Sequence, residues 1–555
     1  MSETGRRYGC PSCGGGLQYD IASGRMKCDH CGGLTDISSL RDGTEEAGET
    51  GLMEVTEFHC PQCGAVVYST DTSATGFCTF CGSDVILSAR LGRTRRPASI
   101  VPFTVTREQC EQAYRDHLKH FHLTPASLKS EETISHFRPV YVPFWSYDVS
   151  ASGPADLTGH RSFSDARYHY DETSTIHVDA EIRQQGILYD ASSAFEDETA
   201  ALLKHTDREA VPFHAAYLSG FYAQASDVPA ETYESEAAAT AVRLFMDQVK
   251  ETYKMDSVEM TGNIDQAFGL PDAKFREKLI MMPVWLLAHR EGKRVIYTAV
   301  NGRSGEVVCD VPVSTGKMAG VILALTAGLF LLLMNVLTVK PDVALVLCGF
   351  LALLIQWLFS GARTVLHNRR TRAFEPDFSG ERKPFVGPAQ ALLKRKSESI
   401  AISAAARGKR WSSVINIGIT VLIVLGAMFF SLGRSVLNAL SDLGNAGDHL
   451  LPLGMALVLL ILIGHTIWRT VQEKGMQGKG GALAPRLLTC VGGAAGLILM
   501  FSGQAEDILY YVCIAALLAA GIWELVVMNR AHNEYASRPV PFFGDSAEAA
   551  GKGEH

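Results

Sequence analysis

The sequence predicts two small β ribbons of the zinc-ribbon kind at the N-terminus, an α+β middle domain and an all-α polytopic membrane bundle at the C-terminus. Three observations carry this reading. Eight of the 13 cysteines fall into two repeated Cys-x2-Cys cassettes. Apolar runs long enough to cross a bilayer begin near residue 317. The charge divides at the same point: residues 1–316 hold 29 Lys+Arg against 44 Asp+Glu, and residues 317–555 hold 22 against 15. At 47% hydrophobic and 20% charged, the 555 residues are not a disordered chain. An acidic globular half followed by a basic apolar half points to a membrane-anchored cytosolic protein rather than a soluble enzyme.

The cassettes come first. Cys10-Pro-Ser-Cys13 precedes Cys28-Asp-His-Cys31, and Cys60-Pro-Gln-Cys63 precedes Cys78-Thr-Phe-Cys81, with 14 residues between the paired turns and a register of 50 residues between cassettes. Two such turns close a four-thiolate site for a structural Zn2+ ion, so two ions are expected, in ribbons at 1–45 and 52–90. Four thiolates leave no open position for a catalytic water. Gly14, Gly32, Gly64 and Gly82 follow the second cysteine of each turn, where a backbone without Cβ turns tightly. His30 and His59 adjoin ligands, and each is either a neighbouring surface histidine or a substitute ligand. The opening MSETGRRYG is no apolar leader, so metal-bound thiolates are expected rather than disulfides. Ribbons this short lack a sufficient core, and metal–thiolate bonds supply their folding free energy. Cys110, Cys309, Cys348, Cys490 and Cys513 are scattered and read as small buried hydrophobes.

The α+β domain is expected over 98–315. Thr106 caps a helix at 106–121. Strands follow around 141–151, 165–171, 174–183 and 186–190, then helices at 192–206 and 230–254. A hairpin series runs 279–289, 294–300 and 305–311, with a Glu291-Gly292-Lys293 turn and an Asn301-Gly302 turn read as left-handed. Pro143-Phe144-Trp145 and Pro283-Val284-Trp285 share Pro-x-Trp and hint at two copies of one unit. Proline in a strand is expected at an edge or a bulge. His160, Asp165, His169, Asp171, His177 and Asp179 lie along the strands without a recognised ligand spacing, and no phosphate loop, nucleophile elbow or zinc-protease motif occurs. The domain is not expected to be an enzyme.

Six spans are expected within 317–530, at 318–339, 343–360, 413–432, 450–468, 487–503 and 507–528, the fifth Gly-rich and short. The stretch 361–412 holds twelve Lys+Arg, and the loops on the other side hold almost none. This places the N-terminal domain and the tail 531–555 in the cytosol. The segment 387–410 is either a basic helix on anionic headgroups or a solvated helix. Ionisable groups within the spans are His465 and Glu524, the latter near a cytoplasmic end. Residues 1–87 hold five basic against twelve acidic residues, which disfavours nucleic acid; the cluster Arg90, Arg93, Arg95, Arg96 reads as a linker.

The segments CPSCGG…CDHCGG, CPQCGA…CTFCGS, VPF at 101–103, YVPFW at 141–145 and YTAVNGRSGEVV at 297–308 together resemble bacterial membrane-anchored zinc-ribbon proteins of the TFIIB type, sometimes labelled primosomal helicase-like. The resemblance covers about 1–315. It implies recruitment of cytosolic scaffold proteins, of the phage-shock or SPFH kind, to a stressed membrane, and no helicase motor carries over. The expected function is a non-enzymatic scaffold binding membrane lipids and protein partners, with homo-oligomers open. A transporter or channel with a cytosolic regulatory domain and a membrane-tethered nucleic-acid binder are the alternatives.

Overall fold

Runs rich in β-branched and aromatic residues favour pleated strands, and between Leu17 and Cys309 strands outnumber helices among the described residues. The computed structural model describes residues 8–40, 51–69, 78–83, 88–165, 168–192, 199–200, 203, 206–261, 267–334 and 507–540, with a few helical positions at 348–352 and 489–495. β1 (Leu17–Asp20), β2 (Arg25–Cys28) and β3 (Leu34–Thr35) form one small antiparallel sheet. A second, larger sheet begins with β4 (Leu52–His59), β5 (Val66–Ser69), β6 (Ser88–Arg95) and β7 (Ser99–Ile100). Helices α1 (Arg107–Lys119) and α2 (Glu131–Ile134) follow, then the long strands β8 (Arg138–Ser164) and β9 (His169–Asp190). Next come β10 (Val211–Pro212), β11 (Tyr222–Ala223), α3 (Glu234–Tyr253), β12 (Ser257–Met260), β13 (Lys274–Glu291), β14 (Arg294–Asn301) and β15 (Val307–Cys309). Two apolar helices, α4 (Thr315–Met334) and α5 (Asp507–Tyr535), precede a last short strand, β16 (Arg538–Pro539).

The two Pro-x-Trp tripeptides meet at the centre of the large sheet. β8 and β13 run antiparallel with Val142 opposite Met282, and a pseudo-twofold axis passes through that pair, relating Pro143 to Pro283 and Trp145 to Trp285. The relation extends well beyond the tripeptides. β7 pairs in parallel with β13 at Ile280 and Met281, as β11 does with β8 at Val140 and Tyr141. The Trp285 indole N–H donates to the Val105 carbonyl at 2.9 Å, and the Trp145 indole donates to Val228 at 2.9 Å. Gly302 donates to Pro283 at 2.9 Å, and Ala191 donates to Pro143 at 2.8 Å. Val105 and Val228 donate back to Gly302 and Ala191. The middle domain is therefore a duplicated unit of short strand, helix and long hairpin, with each unit's tryptophan anchored in the other.

Both prolines sit in interior strands, contrary to the expectation of an edge or bulge. The ladder explains it. On one side of β8, β11 covers Val140 and Tyr141, and β9 takes over only at Phe144. On β13, β7 covers Ile280 and Met281, and β14 begins at Val284. Each proline occupies the handover between two partners, where its missing N–H removes no ladder hydrogen bond.

Local chemistry sets the rest. Thr106 caps α1 in a reciprocal box with Gln109, and Lys254 closes α3 in the left-handed region at φ 53°. The stretch 165–171, expected as a strand, is strand only from His169 onward, and before it Asp165 donates its N–H to Tyr168 at 3.0 Å while its Oδ1 accepts from Tyr168 at 2.8 Å. The expected strands 174–183 and 186–190 are one strand with a bulge opposite Tyr147–Val149. At Asn301-Gly302 the turn is not left-handed. The buried Asn301 carboxamide accepts from Arg303 and Ser304 at 2.8 and 3.1 Å, and glycine is required at 302 because a Cβ there would overlap the Phe103 ring. The Arg90–Arg96 cluster is no linker. It forms β6 antiparallel to β4, with Arg95 over the Trp145 ring at 5.4 Å and Arg96 over Phe213 at 5.3 Å. The helix expected at 192–206 lies largely outside the described residues.

Among the described residues one helix, Ile508–Glu534 within α5, is long and apolar enough to cross a membrane, with mean hydropathy 2.1 over its most apolar window and 22% of that window buried. At a rise of about 1.5 Å per residue it exceeds a hydrocarbon core of about 30 Å. Its exposed side chains include Ile508, Leu509, Val512, Leu518, Ile522 and Trp523. The expected first span begins within α4 and the sixth coincides with α5. The spans 343–360, 413–432, 450–468 and 487–503, His465 and the loop 361–412 lie outside the described residues, save the isolated positions named above. Glu524, expected near one end of its span, is fully buried.

The duplicated tryptophans make a direct test of the twofold relation. Trp285→Phe and Trp145→Phe each leave one buried carbonyl unpaired. Each is expected to lower stability by about 1–3 kcal/mol, read from denaturant midpoints of the detergent-solubilised protein. A much smaller loss in either variant is inconsistent with its anchoring role.

Candidate metal centres

The four Cys-x2-Cys turns share one geometry. In each, the first cysteine accepts at its carbonyl from the glycine after the second cysteine: Gly14 to Cys10 at 2.8 Å, Gly32 to Cys28 at 3.0 Å, Gly64 to Cys60 at 2.8 Å and Gly82 to Cys78 at 3.0 Å. Those glycines have φ of 74°, 72°, 76° and 66°, the left-handed region where a Cβ is strained. In the first cassette the Cys10 and Cys31 sulfurs are 3.7 Å apart and those of Cys13 and Cys28 3.5 Å. In the second, Cys60 to Cys81 and Cys63 to Cys78 are both 3.8 Å. A tetrahedron with Zn–S bonds of about 2.3 Å has edges of about 3.8 Å. In each set all four sulfurs lie within 4.8 Å of one another, so two tetra-cysteine groups can hold metal ions. Neither ligand group contains His30 or His59, and His59 hydrogen-bonds Glu57 at 3.3 Å.

Amide dipoles act on two sulfurs of the first cassette, while the neighbouring thiols and burial raise Cys13. N–H groups of Ser12 and Cys13 lower the Cys10 thiol to about 6, and those of Cys31 and His30 lower Cys28. An N–H aimed at sulfur favours the thiolate, the form that binds metal.

The two sites sit in different surroundings. β1 of the first ribbon lies along the segment before β11: Tyr19 donates its N–H to Ser219 at 3.2 Å, and the Ser219 hydroxyl donates to Leu17 at 2.8 Å. The Tyr19 ring lies edge-on to Tyr217 at 5.3 Å, and its hydroxyl donates to the Phe103 carbonyl at 3.3 Å. Cys10 and Cys28 are buried there, while Cys13 and Cys31 are exposed. The second ribbon is part of the large sheet itself, since β5 pairs with β11 at Tyr68 and Ala223. Its turn 78–82 rests on β13 and β14. The Tyr297 hydroxyl donates to the Phe80 carbonyl, Arg290 donates to the Ser83 hydroxyl at 2.9 Å, and a Cβ at Gly82 would come 2.7 Å from the Ala288 carbonyl. All four of its cysteines are buried.

Tyr297 also connects this ribbon to the apolar helices, a role that its place in YTAVNGRSGEVV does not reveal. Arg538 lies over its ring at 5.7 Å, in the strand β16 that pairs with β14 beside Arg294 and Val295. Arg294 donates to the Ser537 hydroxyl at 2.7 Å and to the Glu534 carbonyl. The Asn533 carboxamide grips the backbone before α4 at both ends, accepting from the Val313 N–H and donating to its carbonyl, each at 2.8 Å. Asn529 donates to Thr315 at 3.0 Å. The start of α4 and the end of α5 are thus held side by side under the ribbon-bearing sheet.

With this geometry in hand, one relative stands out. The uncharacterized protein YdjG of Bacillus subtilis strain 168 is 28% identical over 338 residues, which cover 59% of this chain and 96% of that protein. No family model matches the chain. No solved structure matches it.

The remaining candidates form no group of three or more ligands among the described residues, although His169 pairs with Asp171 at 3.4 Å. His177 pairs with Asp156 across the β8–β9 arm at 2.6 Å, His169 reaches the Ser164 hydroxyl at 2.8 Å and His160 reaches Thr173 at 3.2 Å, all exposed. Cys110 is on the buried face of α1, where burial pushes its thiol up, and Cys309 is buried beside the Thr298 hydroxyl at 3.0 Å.

Two expectations follow. Metal is retained at neutral pH and lost on acidification, as protons compete with the ion for the four thiolates of each group; a chromophoric chelator reads the release. Gly14→Ala, with nothing near its Cβ, costs only the left-handed penalty of about 1–2 kcal/mol. Gly82→Ala adds a clash with Ala288 and is expected to lower thermal stability more than Gly14→Ala does.

Proposed function

We propose that this chain is a non-enzymatic adaptor of the cytoplasmic membrane, whose two zinc ribbons and duplicated β domain recruit a protein partner to the inner leaflet. The clamp between Asn533 and Val313 is the observation that carries the reading. It joins the beginning and the end of the apolar half at the base of one folded domain. Two helices that enter a bilayer from one surface have an even number of crossings between and including them. The six-span arrangement satisfies this, and the twelve basic residues of 361–412 favour the cytosolic side for the N-terminal domain and C-terminus. The exposed apolar residues of α5 suit lipid contact.

Zinc is the metal that best suits four thiolates with tetrahedral edges near 3.8 Å. A closed four-sulfur site stabilises a fold and leaves no position for substrate, which favours docking over turnover. Phosphate binding draws no support from the one dense basic cluster, since Arg95 and Arg96 lie against Trp145 and Phe213. Phage-shock-type or SPFH-type scaffold proteins of a stressed membrane are the partners we propose, on the strength of the sequence resemblance.

Affinity purification of the intact protein from membranes in mild detergent tests the proposal. Cys60→Ser combined with Cys63→Ser is expected to abolish partner recovery while membrane insertion persists. Lost insertion with intact recovery, or labelling that places the N-terminal half outside the cell, overturns it.

A further inference from the structure

The two metal centres differ in what covers them. In the second ribbon every sulfur is buried, Cys60 at 2%, Cys63 at 0%, Cys78 at 3% and Cys81 at 0% exposure, beneath Tyr297, Arg290 and the Ala288 backbone. In the first, Cys10 and Cys28 are buried and Cys13 and Cys31 are exposed, with all four sulfurs within 4.8 Å of one another. A reagent must reach a sulfur to react with it, and only the first centre offers an approach. That centre also holds something in place. Tyr19, on the strand that follows its first turn, covers an aromatic cluster in which Phe103 stacks on Phe221 at 5.1 Å and meets Trp285 edge-on at 5.7 Å. A ribbon of this size does not stay folded without its metal.

We infer that Cys13 and Cys31 form a modification site at which a hydroperoxide or a thiol-reactive electrophile ejects the first ribbon's metal and unseats that ribbon from the aromatic cluster, while the second ribbon keeps its ion. This rests on the metal reading of the two cassettes. With hydrogen peroxide the step balances as follows. The two thiolates give up two electrons and form one S–S bond. The O–O bond breaks, and with those electrons and two protons from solvent the peroxide leaves as two waters. The Zn2+ ion, left with two thiolates, departs unreduced. The exposed ribbon is then the switch and the buried ribbon the frame.

The test uses the intact protein in mild detergent, treated with hydrogen peroxide and, in parallel, with p-hydroxymercuribenzoate. Released zinc is read with a chromophoric chelator, modified cysteines by alkylation and mass spectrometry, and ribbon seating by hydrogen exchange. One of the two zinc ions is expected to leave, with Cys13 and Cys31 modified. Exchange should rise in 8–40 and 214–221 and stay unchanged in 56–69, and thiol reductant with zinc should restore the protection. Cys13→Ser is expected to carry one ion that resists peroxide; should it misfold, the wild-type labelling pattern decides alone. Release of both ions together, or modification of Cys63 or Cys81 first, overturns the inference and leaves the metal reading intact. Protein that purifies without metal overturns both.

Discussion

The antiparallel pairing of β8 with β13 is the constraint on which the rest of this structure depends. It brings Val142 opposite Met282, and everything else is placed by reference to that axis. The prolines on either side end one neighbour's ladder and admit the next. In each gap a short parallel strand leaves the sheet and turns toward its helix. The tryptophan two residues on reaches across the axis to hold that exit, through Val105 on one side and Val228 on the other. Each half is thus closed by a residue of the other half, so neither long hairpin has a complete core alone. Three buried clusters, one around Phe103 and Trp285, one around Trp145 and Tyr147, and one along Val142 and Met282, fill the spaces the pairing creates.

The twofold relation is broken in ways that serve the attachments. In one half, β7 is flanked by β10, a two-residue strand. At the matching place in the other half β11 is flanked by β5, and through it the whole second ribbon. The β13–β14 hairpin turns at Glu291–Arg294, close to β16 and the clamp. Its counterpart β8–β9 continues to Ser164 and His169, a projecting arm with the Phe163 and Tyr170 rings stacked near its tip at 5.0 Å. Duplication supplied one stable frame. Unequal hairpin lengths and unequal neighbours then left one end for the apolar helices and the other for the arm.

What the sequence shows and hides follows from the range of the interactions. The cysteine turns are legible because four consecutive residues and one glycine contain their whole geometry. The α1 N-terminus is legible for the same reason, since Thr106 and Gln109 satisfy each other locally. Tripeptides at 143 and 283 hint at a repeat, but only the register shows that a twofold axis at the Val142–Met282 pair relates them. The basic run 90–96 is misread because its strand character comes from β4, which sets Glu57 and Glu54 opposite Arg90 and Arg93, while Arg95 and Arg96 lie over rings distant in sequence. Asn301 is a turn residue by composition, yet its work is done by a buried side chain and by the space that Gly302 leaves for Phe103. Tyr297, Arg294 and Asn533 carry no local signal at all, because their partners lie more than 200 residues away.

That last group decides how a change at one end of the molecule reaches the other. The second ribbon touches the sheet through Phe80 and Tyr297, Tyr297 carries Arg538, and β16 joins directly to α5. Every link is a hydrogen bond, a cation over a ring or a paired strand, and each is made at least partly out of solvent, where such contacts are stronger than in water. Motion of α4 and α5 against each other must therefore either move the second ribbon or break the Asn533 grip on Val313, which would leave the backbone N–H and C=O of Val313 without partners. Among the described residues the first ribbon has no such chain to α5, and it is fixed by Tyr19 and Ser219 against the aromatic cluster. A displacement of α5 thus has a chain of contacts to the second ribbon, whereas the first ribbon answers to what happens at its own four cysteines. The shared sheet, joined to the first ribbon beside β11 and to the second at β11 itself, is the element through which both report.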